Sequence, residues 1–216
     1  MRWIILLSLF FGCSGYRFSH QENPLKQYGI QSLAVPMFYN FSNIPDVSGE
    51  FSRETYKLLT GFSGLKLVSG YSESADAVLI GIIRSEESLT KTLTPLNLRV
   101  AKNQAPNSVG DKRQNFYIPG TSILTLTLQV IVIKKPTEEE LALLRSGIGE
   151  QVISDPKSRI IFNERLPLRG QFAREIFDNA GTSVVATQNA GVQRRTIRTL
   201  AETAAVSVRD MILYAF

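Results

Sequence analysis

Cysteine and histidine, the side chains most often used as nucleophile, base or metal ligand, occur once each in this 216-residue sequence, as Cys13 and His20. A serine–histidine or cysteine–histidine pair would have to use His20, which lies in a polar segment expected to hold little structure. Zinc and copper sites in proteins are built from clusters of Cys and His. The sequence therefore predicts no catalytic residue, no metal site and no cofactor.

The other groups that could perform acid–base or phosphate chemistry have simpler explanations. The pair Glu86-Glu87 is typical of solvated charge, and the run Glu138–Glu140 supplies the negative charge that a helix N-terminus favours. Gly61 and Gly64 end a helical pattern, whereas a phosphate-binding loop follows a strand and opens a helix. We therefore expect a protein that is not an enzyme.

Cys13 lies at the end of a segment with the features of a bacterial lipoprotein signal. Arg2 gives this segment a positive start, and Gly12 is the small residue required before the cleavage point. Between them, residues 4–11 form an apolar run that is too short to cross a bilayer core of about 30 Å as a helix. Phe10 stands where the usual motif has leucine, which makes this a relaxed version of the signal.

The lone thiol also favours lipidation. A single cysteine in an exported chain has no intramolecular disulfide partner, so the alternative is a buried thiol in an ordinary signal anchor. We predict that residues 1–12 are removed and that Cys13 carries lipid. Ser14 follows the cysteine where an aspartate would favour retention in the inner membrane, so the outer membrane is the expected location.

Composition places the remainder of the chain among ordinary single-domain proteins. Hydrophobic residues make up 44% of the sequence and charged residues 20%, which supplies one core and argues against disorder. The formal net charge of +5 is compatible with anionic partners but lies far below the extreme of nucleic-acid-binding proteins. Export also argues against nucleic acid as a partner.

The pattern of apolar residues predicts a polar tether at residues 13–31, followed by one domain at residues 32–216. Strands are predicted at residues 32–39, 65–69, 77–84, 121–134 and 159–168, and helices from Val47, from Glu138 and after Gly191. Two amphipathic helices must bury their apolar stripes, and one face of a sheet is available for both. The predicted fold is therefore an α+β two-layer sandwich, with two helices on one face of a four- to five-stranded mixed sheet.

The stretch from residue 86 to residue 120 is rich in proline and positive charge. A plain loop of this length is uncommon in a compact domain unless it has a function, so we expect a hairpin arm or a long loop. Its cations could bind phosphate, because arginine can form two parallel hydrogen bonds with the anion and lysine acts as a point charge. These candidates are Arg99, Lys102, Lys112 and Arg113. The alternative is solvated charge on a mobile loop.

The second half of the sequence has two further features, a helical insertion and an arginine cluster on the final helix. A helical insertion is predicted at residues 137–151, because Thr137 precedes three acidic residues and a leucine-rich turn. The final helix carries an arginine cluster, Arg194, Arg195 and Arg198, near its predicted start. Cations there oppose the helix macrodipole, which indicates an acidic partner surface, although a helix beginning earlier, around Val185, would weaken this interpretation.

Four stretches resemble segments of the lipopolysaccharide-assembly lipoprotein family, LptE, and they occur in the same order along the chain. Cys13–Tyr16 (CSGY) is similar to the family's Cys-Gly-Tyr start with one residue inserted. Ser32–Pro45 (SLAVPMFYNFSNIP) resembles its first strand and loop, and Ser74–Gly81 (SADAVLIG) resembles the segment after its first helix. The fourth stretch is the arginine-bearing final helix. The arm at 86–120 and the insertion at 137–151 are longer than expected for the family.

This resemblance implies a scaffold bound to a partner. Family members lie in the lumen of the large outer-membrane β-barrel LptD, plug it, help it fold and contact lipopolysaccharide. It therefore implies an LptD-like barrel, lipopolysaccharide and, through the lipid anchor, the periplasmic face of the outer membrane as partners. The arm cations become candidates for lipopolysaccharide contact and the arginine cluster for partner contact.

The same first-strand pattern also resembles other periplasmic lipoprotein modules. These are domains similar to the N-terminal domain of TolB, secretion-pore lipoproteins of the CsgG type and activators of peptidoglycan synthases. An interaction module of this kind is the alternative function.

Overall fold

A computed structural model of the chain describes residues 21–102, 115–146, 159–174 and 182–215. The strands are β1 (Gln21–Glu22), β2 (Ser32–Val35), β3 (Tyr39–Phe41), β4 (Phe62–Ser63), β5 (Lys66–Ser69), β6 (Ala77–Arg84), β7 (Leu93–Lys102), β8 (Asn115–Lys134) and β9 (Ile160–Ala173). The helices are α1 (Val47–Leu59), α2 (Leu89–Thr92), α3 (Glu138–Arg145) and α4 (Thr182–Ala215), and a 3-10 helix (Pro24–Tyr28) precedes them. The signal region and Cys13 lie outside the described residues.

Seven strands form one mixed sheet around β8. The order is β5-β2-β6-β8-β7, with β3 also paired to β6 and β9 paired to β8. β2 runs parallel to β5 and β6, whereas β8 runs antiparallel to β6, β7 and β9. β8 can serve three neighbours because it is 20 residues long. Its first half pairs with β7, and its second half lies between β6 and β9.

Alternation along the strands divides the apolar residues between the two faces of the sheet. In β6, Leu79 and Ile83 belong to the main core with α1 and α4. Val78, Ile80 and Ile82 point the other way and pack with Leu141 and Leu144 of α3. Seven of the eight residues of β6 are buried, so the prediction of a strand covered on both faces is correct.

The predicted fold class is confirmed, with α1 and α4 on one face of a mixed sheet. The sheet has seven strands rather than four or five. One reason is that the single strand predicted at residues 32–39 is two strands, β2 and β3. They are interrupted at Pro36, which has no backbone N–H to donate to a neighbouring strand. The other is that the arm contributes β7.

The folded domain begins before residue 32. Leu25 and Ile30 are buried, so the described part of the predicted tether, residues 21–31, packs on the core. Asn23 holds this segment in place, because its amide nitrogen donates to the carbonyl of Ile30 at 2.7 Å and its Oδ1 accepts from the N–H of Leu25 at 3.0 Å.

Three other boundaries differ from those predicted. β8 begins at Asn115, before the predicted residue 121, and β9 continues to Ala173, beyond the predicted residue 168. Both strands therefore extend past their most apolar segments. α4 begins at Thr182, about ten residues before the predicted start. The expected helix at residues 138–145 is confirmed, and Thr137 and Glu140 form a reciprocal capping box at its start.

Candidate functional site

The two family-like stretches meet at the starts of β2 and β6. Oδ2 of Asp76 accepts hydrogen bonds from the N–H groups of Gln31 and Ser32, at 3.0 and 2.9 Å, and from the Ser32 hydroxyl at 2.8 Å. These bonds lower the pKa of Asp76, with the Ser32 hydroxyl as the largest cause. The aspartate of the Ser74–Gly81 stretch therefore fastens two parallel strands together.

Phe38 and Gly81 form a second contact between the same stretches. The Phe38 ring lies directly over Gly81, where a Cβ would overlap it, and the ring is almost fully buried. The Phe38 N–H donates to the hydroxyl of Ser52 in α1 at 2.8 Å. Asn40 closes the following loop, donating to the Ile44 carbonyl at 2.8 Å. These residues build the fold, and their side chains are not displayed for a ligand.

The described residues of the 86–120 region include two paired antiparallel strands, β7 and the start of β8, as in the hairpin arm that was one of the two expected forms. β7 pairs with the first half of β8, and Arg99 and Lys102 lie in β7 opposite Ile118 and Asn115. The part of β8 before Thr121 has no register with β9, so this end of the ribbon is two-stranded within the described residues. Lys112 and Arg113 lie outside the described residues, so the structure does not bring the four arm cations together.

The arginine cluster lies well inside α4. The helix begins at Thr182, so the argument from the macrodipole is wrong, because that effect is confined to the first turn. Arg194, Arg195 and Arg198 are all exposed. Arg198 forms an exposed ion pair with Glu202 at 3.3 Å, one turn further along the helix. Surface pairs of this kind contribute little to stability, so the guanidinium can exchange partners.

Arg194 also lines a cleft of about 430 Å³ between the start of α1 and α4. Asp46 and Glu50 line the opposite side, and the floor includes Ile197. Asp46 occupies the N-cap position of α1 with a left-handed backbone (φ 59°) and makes no side-chain cap bond. The cleft thus joins one basic and two acidic side chains of the helix layer.

The structure also has a basic surface that was not predicted from the sequence. It consists of Arg84, Thr125, Thr127, Arg165 and Arg169, called here the arginine face, on the side of the sheet opposite α1 and α4. The signal for it was present in the two-residue alternation of β9, where Arg165, Arg169 and Gln171 share one side. It becomes recognisable only once β9 is known to continue to Ala173.

A buried amide organises this face. Gln129 is 1% exposed; its Oε1 accepts from the Arg84 guanidinium at 2.8 Å, and its Nε2 donates to Oδ1 of Asn163 at 2.9 Å. The Arg84 guanidinium also lies 6.0 Å from the centroid of the Phe41 ring. Arg84 is therefore held in one orientation by groups from three strands.

Within residues 21–102, 115–146, 159–174 and 182–215, no group of three or more His, Cys, Asp or Glu side chains is placed to hold a metal ion. Among the helices of those ranges, none combines the length and apolar character needed to cross a membrane.

No protein-family model and no curated protein sequence matches the chain. Among solved structures, the chain is similar to a candidate lipoprotein from Caulobacter crescentus, with 7% identity over 82% of this chain and 88% of that one and a TM-score of 0.40. It is similar to the rare lipoprotein B of Shewanella oneidensis, with 11% identity, 85% and 92% coverage and a TM-score of 0.34. The PelC dodecamer of Paraburkholderia phytofirmans gives 12% identity, 80% and 86% coverage and a TM-score of 0.28. At such low TM-scores and identities, the likeness carries no functional argument.

Proposed function

We propose that this protein is an LptE-like lipoprotein, anchored by Cys13 to the periplasmic face of the outer membrane, that plugs and supports an LptD-type barrel in lipopolysaccharide assembly. The observation that carries the proposal is the combination of a lipoprotein signal with the two family-like stretches. In the structure those stretches pack as one unit through the pairs Ser32–Asp76 and Phe38–Gly81.

The physical properties of the chain suit this role. The lumen of an outer-membrane barrel is polar, so a protein inside it needs a rigid fold with a charged surface. The exposed arginine cluster on α4 supplies such charge, and the arm provides cations for lipid A phosphates. Stable anchoring needs more than one acyl chain, which the modification of a bacterial lipoprotein provides.

The first test identifies the partner. The tagged chain is extracted from outer membranes in mild detergent, and the Cys13→Ser variant serves as the control for anchoring. We expect a large β-barrel protein to co-purify in a one-to-one complex, and we expect the control to leave the outer-membrane fraction. Recovery of a penicillin-binding protein, or of a ring of identical subunits, would replace this proposal with the interaction-module alternative.

The second test separates the arm from the rest of the surface. Changing Arg99, Lys102, Lys112 and Arg113 together to serine should weaken lipopolysaccharide binding and flatten its dependence on salt, because the attraction is electrostatic. A matched control removes four exposed lysines outside the arm: Lys26, Lys57, Lys66 and Lys135. Equal losses in both variants would show that net charge alone is responsible and that the arm is solvated loop.

A third variant concerns the barrel. Replacing Arg194, Arg195 and Arg198 by serine should reduce barrel recovery while leaving lipopolysaccharide binding unchanged, since the cluster lies on α4, whereas Arg99 and Lys102 lie on β7. Unchanged barrel recovery would remove the cluster from the interface without affecting the role proposed for the arm.

A further inference from the structure

β5 lies at the border of the mixed sheet and has one neighbour, β2, among the described strands. The N–H group of Lys66 donates to the carbonyl of Gln31 at 2.8 Å, so the backbone groups of Lys66 face β2. Because backbone groups alternate along a strand, those of Leu67 and Ser69 point away from β2, to the outer edge of the sheet. In the part of the chain that the structure describes, these outward N–H groups have no hydrogen-bond partner.

Two glycines bracket β5 and leave its ends open. Gly64 and Gly70 have φ values of 78° and 85°, in the left-handed region that glycine adopts without steric cost. A Cβ added at either position would have no heavy atom within 4 Å. Lys66 and Ser69, the first and last residues of the strand, are exposed. A further strand can therefore approach β5 along its whole length.

Two other border strands differ from β5 in one respect. β7 and β9 each pair with β8 alone among the described strands, and each contains a proline, Pro95 in β7 and Pro167 in β9. Proline removes a donor N–H and opposes the addition of a further strand. β5 contains no proline, and its one charged side chain is Lys66. Of these three strands, β5 is therefore the one best able to accept a neighbour.

A groove of about 610 Å³ lies beside β5 on the sheet face opposite α1 and α4. Val68 pairs with Ala34, which belongs to the apolar cluster beneath α3, and Lys66 shares that face by alternation. Val68 and the buried Ala75 give the groove an apolar part, and Lys66 adds an exposed positive charge. Asp76 also lines the groove, where its Oδ2 is engaged by the three hydrogen bonds described above. The groove thus offers an apolar contact and a cation next to the open edge.

We propose that β5 accepts an extended segment of a partner protein as an additional strand, with an acidic side chain beside Lys66 and an aliphatic side chain beside Val68. In this mode of recognition, main-chain hydrogen bonds supply affinity and the contacts of alternate side chains supply specificity. Leu67 and Ser69 each offer one N–H and one C=O, and the groove receives every second side chain of the segment. This edge is separate from the arm and from the arginine cluster, so the inference goes beyond the proposed function.

The test uses the full chain and a synthetic eight-residue peptide, Thr-Glu-Thr-Val-Thr-Glu-Thr-Val, whose glutamate and valine side chains share one face when it is extended. We expect this peptide to bind. A peptide with lysine in place of glutamate should bind about threefold more weakly or less, because exposed charge pairs have modest effects. Lys66→Glu should reverse this preference. The matched control, Lys57→Glu, changes an exposed lysine on α1 and should leave the preference unchanged.

N-methylation of the peptide tests the backbone contact. Methyl groups on the threonine nitrogens block one edge of the extended peptide, and methyl groups on the glutamate and valine nitrogens block the other. Strand addition uses one edge, so one methylated peptide should lose affinity by about tenfold or more while the other retains it. On the protein, Ser69→Pro removes an outward N–H and should weaken binding to a similar extent. Ser69→Ala keeps that N–H and should retain binding.

Several results would overturn the inference. These are no binding of the peptide by the unaltered protein, equal binding of the two methylated peptides, and equal effects of Lys66→Glu and Lys57→Glu. A dimer that Ser69→Pro converts to a monomer would also overturn it, because the edge would then be occupied by a second copy of the chain. If Ser69→Pro lowers the melting temperature, the methylated peptides decide with the unaltered protein. None of these outcomes depends on whether a barrel co-purifies.

Discussion

The Ser32 hydroxyl joins Asp76 through two hydrogen bonds that run in opposite directions. The Ser32 hydroxyl donates to Oδ2 of Asp76 at 2.8 Å, and the Asp76 N–H donates to the Ser32 hydroxyl oxygen at 2.9 Å. The two residues are 44 positions apart in the chain; Ser32 begins β2, and Asp76 directly precedes the parallel neighbour β6. One hydroxyl thus sets the position of β6 relative to β2, which explains why serine and aspartate occur at these points of the two family-like stretches.

This pair predicts a dependence of stability on pH. The folded state lowers the pKa of Asp76, so the carboxylate stabilises the protein above the ordinary carboxyl pKa of about 4. That contribution disappears as the pH falls through the lowered value, when the folded protein takes up the proton. Urea unfolding of Asp76→Asn should show reduced stability at pH 7 and a diminishing difference from the unaltered protein below about pH 4.

Ser32→Ala provides the control for that experiment. In a double-mutant cycle at pH 7, Ser32→Ala and Asp76→Asn should be coupled by about 0.5–3 kcal/mol, since the residues are in direct contact. Additive effects would contradict the hydrogen-bonded arrangement.

The contact between Phe38 and Gly81 predicts opposite effects of alanine at two glycines. Gly81→Ala should lower the free energy of unfolding by about 1–3 kcal/mol, because the new methyl group would overlap the buried Phe38 ring. Gly49 in α1 has no heavy atom within 4 Å of an added Cβ, so Gly49→Ala should raise stability by about 0.5–1 kcal/mol. Thermal or chemical unfolding of both variants measures this, and a neutral Gly81→Ala would contradict it.

The buried stripe of α4 predicts a second contrast. Leu200 is 7% exposed and Val208 is fully buried, so Leu200→Asp or Val208→Asp should destabilise by more than about 3 kcal/mol by placing an unpaired charge in the core. Val206, 41% exposed on the same helix, is the matched control, and Val206→Asp should change stability by no more than about 0.5 kcal/mol. If the Leu200→Asp and Val208→Asp variants melted at the same temperature as the Val206→Asp variant, this helix face would not be part of the core.

A buried hydroxyl without a partner predicts a stabilising substitution. The Oγ1 of Thr55 in α1 is buried and, among the described residues, makes no hydrogen bond. Thr55→Val keeps the shape and removes the cost of burying that hydroxyl, so stability should rise by about 1 kcal/mol. Thr92→Val is the control and should lower stability, because the equally buried Thr92 hydroxyl donates to the carbonyls of Glu86 and Ser88. Equal effects of the two changes would contradict this account.

The elements that sequence analysis predicted well are those whose burial has a sequence pattern. β6 was recognisable because burial on both faces demands an unbroken apolar run, and α3 because its capping box and acidic first turn are local. The early part of α4 was missed because Thr182–Gly191 is rich in small and polar residues, and among Val185–Ala190 only Val185 is buried. Its helical state is supported by continuity with the buried stripe further along.

The surfaces were harder to predict than the fold. The arginine cluster was recognised as basic, yet its place in the helix depended on where α4 begins. The arginine face joins Arg84 with Arg165 and Arg169, which lie about eighty residues further along the chain, and only the register through β8 brings them together. Tertiary strand pairing of this kind has no local pattern in the sequence.

The position of β8 also determines when this protein can fold. Its three neighbours extend from Ala77 to Ala173, and α4, which packs against β9 where Gly170 leaves room for Thr196 and Leu200, comes last in the chain. Non-local pairing of this kind makes folding slow. The core therefore stays open until the C-terminal helix has been synthesised, so a chain that crosses a membrane N-terminus first can be threaded through before its sheet closes.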